Sequence, residues 1–188
     1  MGYHVPNLRE PDSYVLEVLA VVLSGGKSSR LYQSLVREKR LVLSADANHS
    51  LLSRDPSLFY LSADLLPGKE VAEVEKALDQ EVERLQRERV GEQELEKAKN
   101  QLEAAFVYGQ DSLFNQAMLL AQHEITINWS AIDDYIPSIR KVSAEDIQRV
   151  ATRYLIPDNR TVGILIPLPP KEEKPVLMEP PIKERMVR

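Results

Sequence analysis

The 188 residues include no cysteine, which excludes disulfides, thiolate metal sites and a cysteine nucleophile. Histidine is almost as scarce: His4, His49 and His123 are the whole supply, and they are far apart. No run of about 18 apolar residues occurs, so the sequence offers no membrane-spanning helix. The first residues lack a basic start followed by an apolar stretch, so no signal peptide is expected, and Pro6 stands where N-myristoylation wants serine or threonine. The opening reads as that of a segment cut from a longer chain. Positive charge is in deficit, 24 Lys and Arg against 29 Asp and Glu. The net charge of −5 makes nucleic acid a poor partner.

What is present suits a globular domain. Apolar residues make up 43% and charged residues 28%, the balance of a chain that buries a core. Residues 1–166 read as one folded unit. From Pro167 to Arg188 the composition changes, with six of the twelve prolines and the run KEEK, and this stretch reads as an extended linker or tail.

Within the unit, Tyr3–Pro6 reads as the end of a strand. Asp12–Leu23 reads as a helix capped by Asp12; with only Glu17 charged, it should be buried on nearly all sides. Ser24-Gly25-Gly26 ends it, and a second helix is expected over Ser29–Arg40 with Leu31, Leu35 and Val36 inward. Strands are expected over Leu43–Leu51 and Ser57–Leu66, parted by Arg54-Asp55-Pro56. Apolar spacing then marks helices over Lys69–Arg89, from Leu95 to Phe106, over Ser112–Ile127 and over Ile132–Arg140. Ser143 and Asp146 open the last helix, and Thr161–Ile166 reads as a final strand. The order indicates an α+β fold, a mainly antiparallel sheet with helices packed on one face.

Each motif suggesting chemistry is incomplete. Gly25-Gly26-Lys27-Ser28 resembles a phosphate loop, but Val21 stands where its first glycine belongs, and a helix precedes it where a strand is required. A glycine helix stop followed by a serine cap explains the same residues. His123-Glu124 begins like H-E-x-x-H, yet Ile127 replaces the second histidine that zinc would need one turn on. No G-x-S-x-G elbow is present. The acidic runs Glu70-Glu73-Glu75 and Glu81-Glu83 read as the solvated face of a helix.

Taken together, several stretches carry a resemblance. Pro11-Asp12-Ser13-Tyr14, then Leu23-Ser24-Gly25-Gly26-Lys27-Ser28-Ser29-Arg30-Leu31-Tyr32, then Leu35-Val36-Arg37-Glu38-Lys39-Arg40 resemble the C-terminal domain of pitrilysin/insulinase-type zinc peptidases, the group that includes the mitochondrial processing peptidases. Leu66-Pro67-Gly68, Glu94-Leu95 with Ala98-Lys99, Val142-Ser143 with Asp146-Ile147 and Val150-Ala151, and Tyr154-Leu155 with Pro157 and Asn159-Arg160 continue it. The resemblance runs from about Tyr3 to Pro167.

The resemblance implies helix-and-sheet domains arranged as two halves that close around a peptide. It places the inverted motif H-x-x-E-H, and therefore zinc, in an N-terminal catalytic domain that this chain lacks; no metal ligand is expected here. The implied partners are that catalytic domain, the opposite half or subunit, and a peptide substrate. The implied role is a non-catalytic wall of the substrate chamber of a zinc metalloendopeptidase; the alternative is a peptidase-like scaffold that binds protein partners without proteolysis. An arginine and, seven residues on, a tyrosine contact substrate in one domain type of the family. Arg37 matches the arginine, while Ser44 occupies the tyrosine position, so the pair is incomplete and no catalytic residue is assigned. For the parent, the periplasm or cell envelope is the compartment expected.

Overall fold

The computed structural model describes residues 1–167. Thirteen residues of nearly uninterrupted apolar sequence form α1 (Asp12–Ser24), and this helix organises the rest. Leu16, Val18, Leu19 and Leu23 on it are fully enclosed, each such side chain contributing roughly 1.5–3 kcal/mol relative to exposure. On one side α1 meets β2 (Val42–His49), and on the other α3 (Glu92–Gly109), α5 (Tyr135–Lys141) and α6 (Ala144–Tyr154). An apolar all-round helix is thus the middle of a helix layer laid on a sheet.

The sheet has the order β2-β3-β1-β4, with β1 at Gly2–Val5, β3 at Ser57–Leu65 and β4 at Arg160–Thr161, and every described pairing is antiparallel. Phe59 and Leu61 on β3 and Tyr3 on β1 point into the core. Their alternation partners Tyr60, Ser62 and Asp64 stay exposed, as the two-residue period of a half-covered sheet requires. The α+β expectation therefore describes the molecule.

The remaining elements are α2 (Val71–Arg87) and α4 (Leu113–Thr126). α2 buries Val74, Ala77, Leu78, Val82 and Leu85, packing on α6 and β3. Glu81 lies on this same stripe and is buried, which corrects its reading as solvated; it falls between Leu78 and Leu85 on the inward face. α6 starts with the expected capping box: Asp146 N–H donates to Ser143 Oγ at 3.1 Å and Ser143 N–H to Asp146 Oδ2 at 3.1 Å.

Four further expectations need correction. Asp12 does not cap α1; Pro11 holds that position, and the Asp12 carboxylate is drawn away to side chains of α6. The helix after the glycine pair is a π-helix over Tyr32–Glu38, closed by Lys39 N–H donating to Ser34 O five residues back. The element expected over Ile132–Arg140 is a 3-10 turn, Trp129–Asp134, followed by α5. Asn128 caps the former through Ala131 N–H, and Pro137 is tolerated only in the first turn of the latter. Finally, among the described residues only Arg160 and Thr161 of the last segment form strand, paired with Tyr3 and Gly2 of β1. The linker expected over 167–188 lies, from Leu168 on, outside the described residues.

Candidate functional site

The glycine loop is bolted to α3, and the N–H groups of Gly25 and Gly26 donate to Val21 O and Ser24 O. Gly25 N–H donates to Val21 O at 2.6 Å, and a Cβ there would lie 2.5 Å from that oxygen and 2.7 Å from Gln101 Oε1. Gly26 has φ +91°, a conformation that glycine adopts without strain. Arg30 donates from Nε to Glu94 Oε1 at 2.8 Å and from Nη2 to Glu94 Oε2 at 2.9 Å, a bidentate pair with the arginine one-tenth exposed. Lys97 meets Ser28 Oγ, and Gln101 Nε2 donates to Gly25 O at 3.3 Å. The Ser-Ser-Arg and Glu-Leu-x-x-Ala-Lys segments, sixty-odd residues apart, are thus two halves of one joint.

Two carboxylates on α1 sit in contrasting surroundings. Asp12 receives Arg149 Nη2 at 2.8 Å, Arg153 Nη1 at 3.2 Å and the Tyr154 phenol at 3.0 Å. Burial alone would raise its pKa, but the hydrogen bonds from Arg149 and Tyr154 and the two guanidinium charges outweigh it and hold the carboxyl below its ordinary range. The same contact pushes the Tyr154 phenol up to about 12, with burial as the larger cause. Among the described residues Glu17 has only the Tyr135 phenol, donating to Oε1 at 3.4 Å, and its Oε2 is enclosed without a partner. Burial raises it to about 7, against the weak pull of that one hydrogen bond.

Glu17 shares a cavity of about 160 Å³ with His49, Ser24, Asn48 and Leu102. Among the described residues both ring nitrogens of His49 are enclosed and unpartnered, and burial lowers its pKa to about 4. Sequence reading missed this pairing, since the only advance sign was a lone glutamate in an apolar helix.

The three histidines are not brought together. His4 lies exposed on β1, His49 is buried on β2, and His123 is buried on α4 with Nδ1 against Leu119 O at 2.8 Å. Among the described residues no group of three or more His, Asp or Glu side chains could hold a metal ion. This donor set does not fit catalytic zinc.

Arg37 sits in the last turn of the π-helix, exposed, with Nη1 donating to Gln33 Oε1 at 3.3 Å. Ser44 sits on β2 and donates from Oγ to Asp64 Oδ2 at 2.8 Å. No hydrogen bond joins Arg37 to Ser44 among the described residues. Ser44 belongs instead to a polar sheet face: Ser44, Asp46 and Asn48 on β2 stand opposite Asp64, Ser62 and Tyr60 on β3. These side chains can donate and accept hydrogen bonds along an extended guest.

Residues 1–102 match the family model described as the peptidase M16 inactive domain. The chain is 29% identical over 167 residues to the zinc protease PqqE of Helicobacter pylori, covering 89% of this chain and 37% of that protein. It spans about a third of the length of the curated relatives it matches. A solved inactive peptidase domain from Bordetella parapertussis superposes with TM-score 0.82 at 26% identity, covering 93% of this chain and 92% of that one. The periplasmic protease PqqL of Escherichia coli shares the fold, with TM-score 0.62 at 17% identity, over 82% of this chain and 17% of that one.

Proposed function

The chain belongs to the peptidase M16 inactive-domain family, and on that premise we propose that it forms a substrate-chamber wall in a zinc metalloendopeptidase that cleaves peptides. One observation carries this reading beyond the family match. The sheet face turned away from the helices is open, with Ser44, Asp46, Asn48, Ser62 and Asp64 on it, the polar surface a chamber wall presents to its contents. Its role is enclosure and positioning, which lower a barrier by holding the guest in place. Arg37 is the side chain we assign to contact with peptide, because its guanidinium is exposed and, among the described residues, is engaged by Gln33 alone. Zinc and the base that works with it belong to the parent's N-terminal catalytic domain, and the chamber closes against the opposite half or subunit.

Reconstitution tests the assignment. This chain mixed with a catalytic half should support cleavage of an unstructured peptide that a chelator abolishes, while the chain alone should cleave nothing. With the halves combined, Arg37→Ala should raise KM about tenfold with kcat little changed, the mark of a contact made equally before and during reaction. Chelator-sensitive proteolysis by the isolated chain would overturn the reading. Peptide binding without cleavage by the reconstituted halves would favour the scaffold alternative, to which the serine at position 44 already lends support by its tie to Asp64. For the parent we further propose the periplasm or cell envelope. Among the described residues no helix is long and apolar enough to cross a membrane, and fractionation of cells carrying the tagged full-length protein checks the compartment.

A further inference from the structure

β1 and β3 run out of step at one end of the sheet. β1 pairs with β3 over Ser57–Tyr60, and Met1 adds one more pair: its ammonium donates to Leu61 O at 2.7 Å, and Leu61 N–H donates to Met1 O at 2.9 Å. β3 nevertheless continues to Leu65, with β2 on its other side. Hydrogen-bonding direction alternates along an antiparallel ladder. Ala63 and Leu65 are in phase with Leu61, so they turn their N–H and C=O groups toward the side that β1 no longer covers. Across that gap runs the chain from Val162 to Pro167, held one strand away from β3 because β1 lies between β3 and β4. The space between is a groove of about 610 Å³, lined by Leu61–Leu65, by Val71, Val74 and Leu78 of α2, and by Val162–Pro167. Its far side is apolar and uncovered, Leu165 being 93% exposed and Ile166 79%.

We propose that this groove is a strand slot that seats one extended segment collinear with β1 and antiparallel to β3, and that its occupant is the polypeptide leading into Met1 from the preceding domain of the longer peptidase. The proposal rests on the reading of this chain as one domain of such a protein. Two observations select this occupant over an unrelated peptide. Met1 opens directly into the slot along the line the strand must take, and the curated relatives are far longer than the stretch matched here. Backbone groups on the flanking chains supply the hydrogen bonds, so the sequence demand is light: apolar side chains in phase with Met1 and Tyr3, which face the core, polar ones between, and no proline. Once seated, the strand also gives Val162–Ile166 a partner and extends β4. The junction with the preceding domain becomes a rigid strand of the sheet in place of a loose tether.

The test adds six residues ahead of Met1, valine in phase with Met1 and threonine between, to the full 188-residue chain; a control carries six glycines and serines. Hydrogen exchange at Ala63 and Leu65 is read by NMR, with Tm alongside. The valine–threonine leader should slow exchange at both amides about tenfold or more and raise Tm by about 2–4 °C, and the glycine–serine leader should do neither. Equal exchange with the two leaders would overturn the slot. So would protection of Ala63 and Leu65 in the unextended chain, which would show the groove already filled. Equal protection by the free hexapeptide at micromolar concentration would overturn the covalent occupant. Peptide cleavage by reconstituted halves is a separate readout, so slot and peptidase reading can fail independently.

Discussion

Asp12 and Glu17 lie five residues apart on one helix, both turned toward neighbouring elements, and their carboxyls are driven in opposite directions. Asp12 is met by two guanidinium groups and a phenol, so its charge is better solvated in the fold than burial makes it costly. Glu17 is met by one distant phenol and is left with an enclosed, unpartnered oxygen. Burial alone does not decide what an acid does in a protein interior; the donors the tertiary structure delivers to it do. The first acid is a clasp between α1 and α6, and the second is a group that gives up its charge near neutral pH.

Removing the clasp should have the largest effect. Asp12→Ala takes away three charge-assisted or phenolic hydrogen bonds and should cost about 3 kcal/mol, a fall in Tm of roughly 6–12 °C by calorimetry. Asp12→Asn should cost less, since an amide oxygen still accepts. An alanine variant as stable as the parent would erase the contrast between the two acids. The sign of the pH dependence follows from the lowered pKa: the contribution of Asp12 is present above the ordinary aspartate value of 3.8 and is lost as pH falls through its lower folded value.

Glu17→Gln should act in the other direction. With its folded pKa raised from 4.5 to about 7, ionised Glu17 opposes folding above neutrality and ceases to do so as pH falls toward 4.5. The glutamine variant should therefore be more stable than the parent at pH 8, by up to about 3 kcal/mol, and nearly equal to it at pH 4.5. Denaturant melts at the two pH values decide it, and a variant less stable at pH 8 would contradict the assignment.

His49 supplies a finer test. Its folded pKa is lowered from 6.5 to about 4, so stability is lost as pH falls through this window, over nearly the range in which Glu17 restores it. The two largely cancel, and the parent should show a nearly flat stability profile from pH 7 to 4.5. Glu17→Gln should uncover a decline toward acid, and His49→Leu a rise. The smallest effect belongs to Tyr135→Phe. Loss of its 3.4 Å hydrogen bond should cost about 1 kcal/mol or less and push the Glu17 pKa further up, as followed by NMR titration.

Much of the fold was legible because it rests on short-range patterns. The apolar run of α1, the spacing in α2, the capping box at Ser143 and the proline turn before β3 are local statements, and the structure keeps each of them. The segments that carried the family resemblance proved to be contacts between distant parts, Arg30 with Glu94 and Asp12 with Arg149 and Tyr154. They could be quoted from the sequence without their purpose being visible. The candidate site was less legible. Arg37 and Ser44 could be named, but nothing local told that Ser44 would turn to Asp64 on the next strand, or that His49 would share a cavity with Glu17.

By itself the sequence determined which segments could be helix or strand and that α1 would be enclosed, because periodicity and side-chain chemistry are properties of the chain alone. Only the tertiary structure decided which charges met partners and where the sheet stopped. Thr161–Ile166 has a strand's composition, yet among the described residues only Thr161 of it is paired, because a strand is completed by the backbone beside it and no residue carries that neighbour within itself.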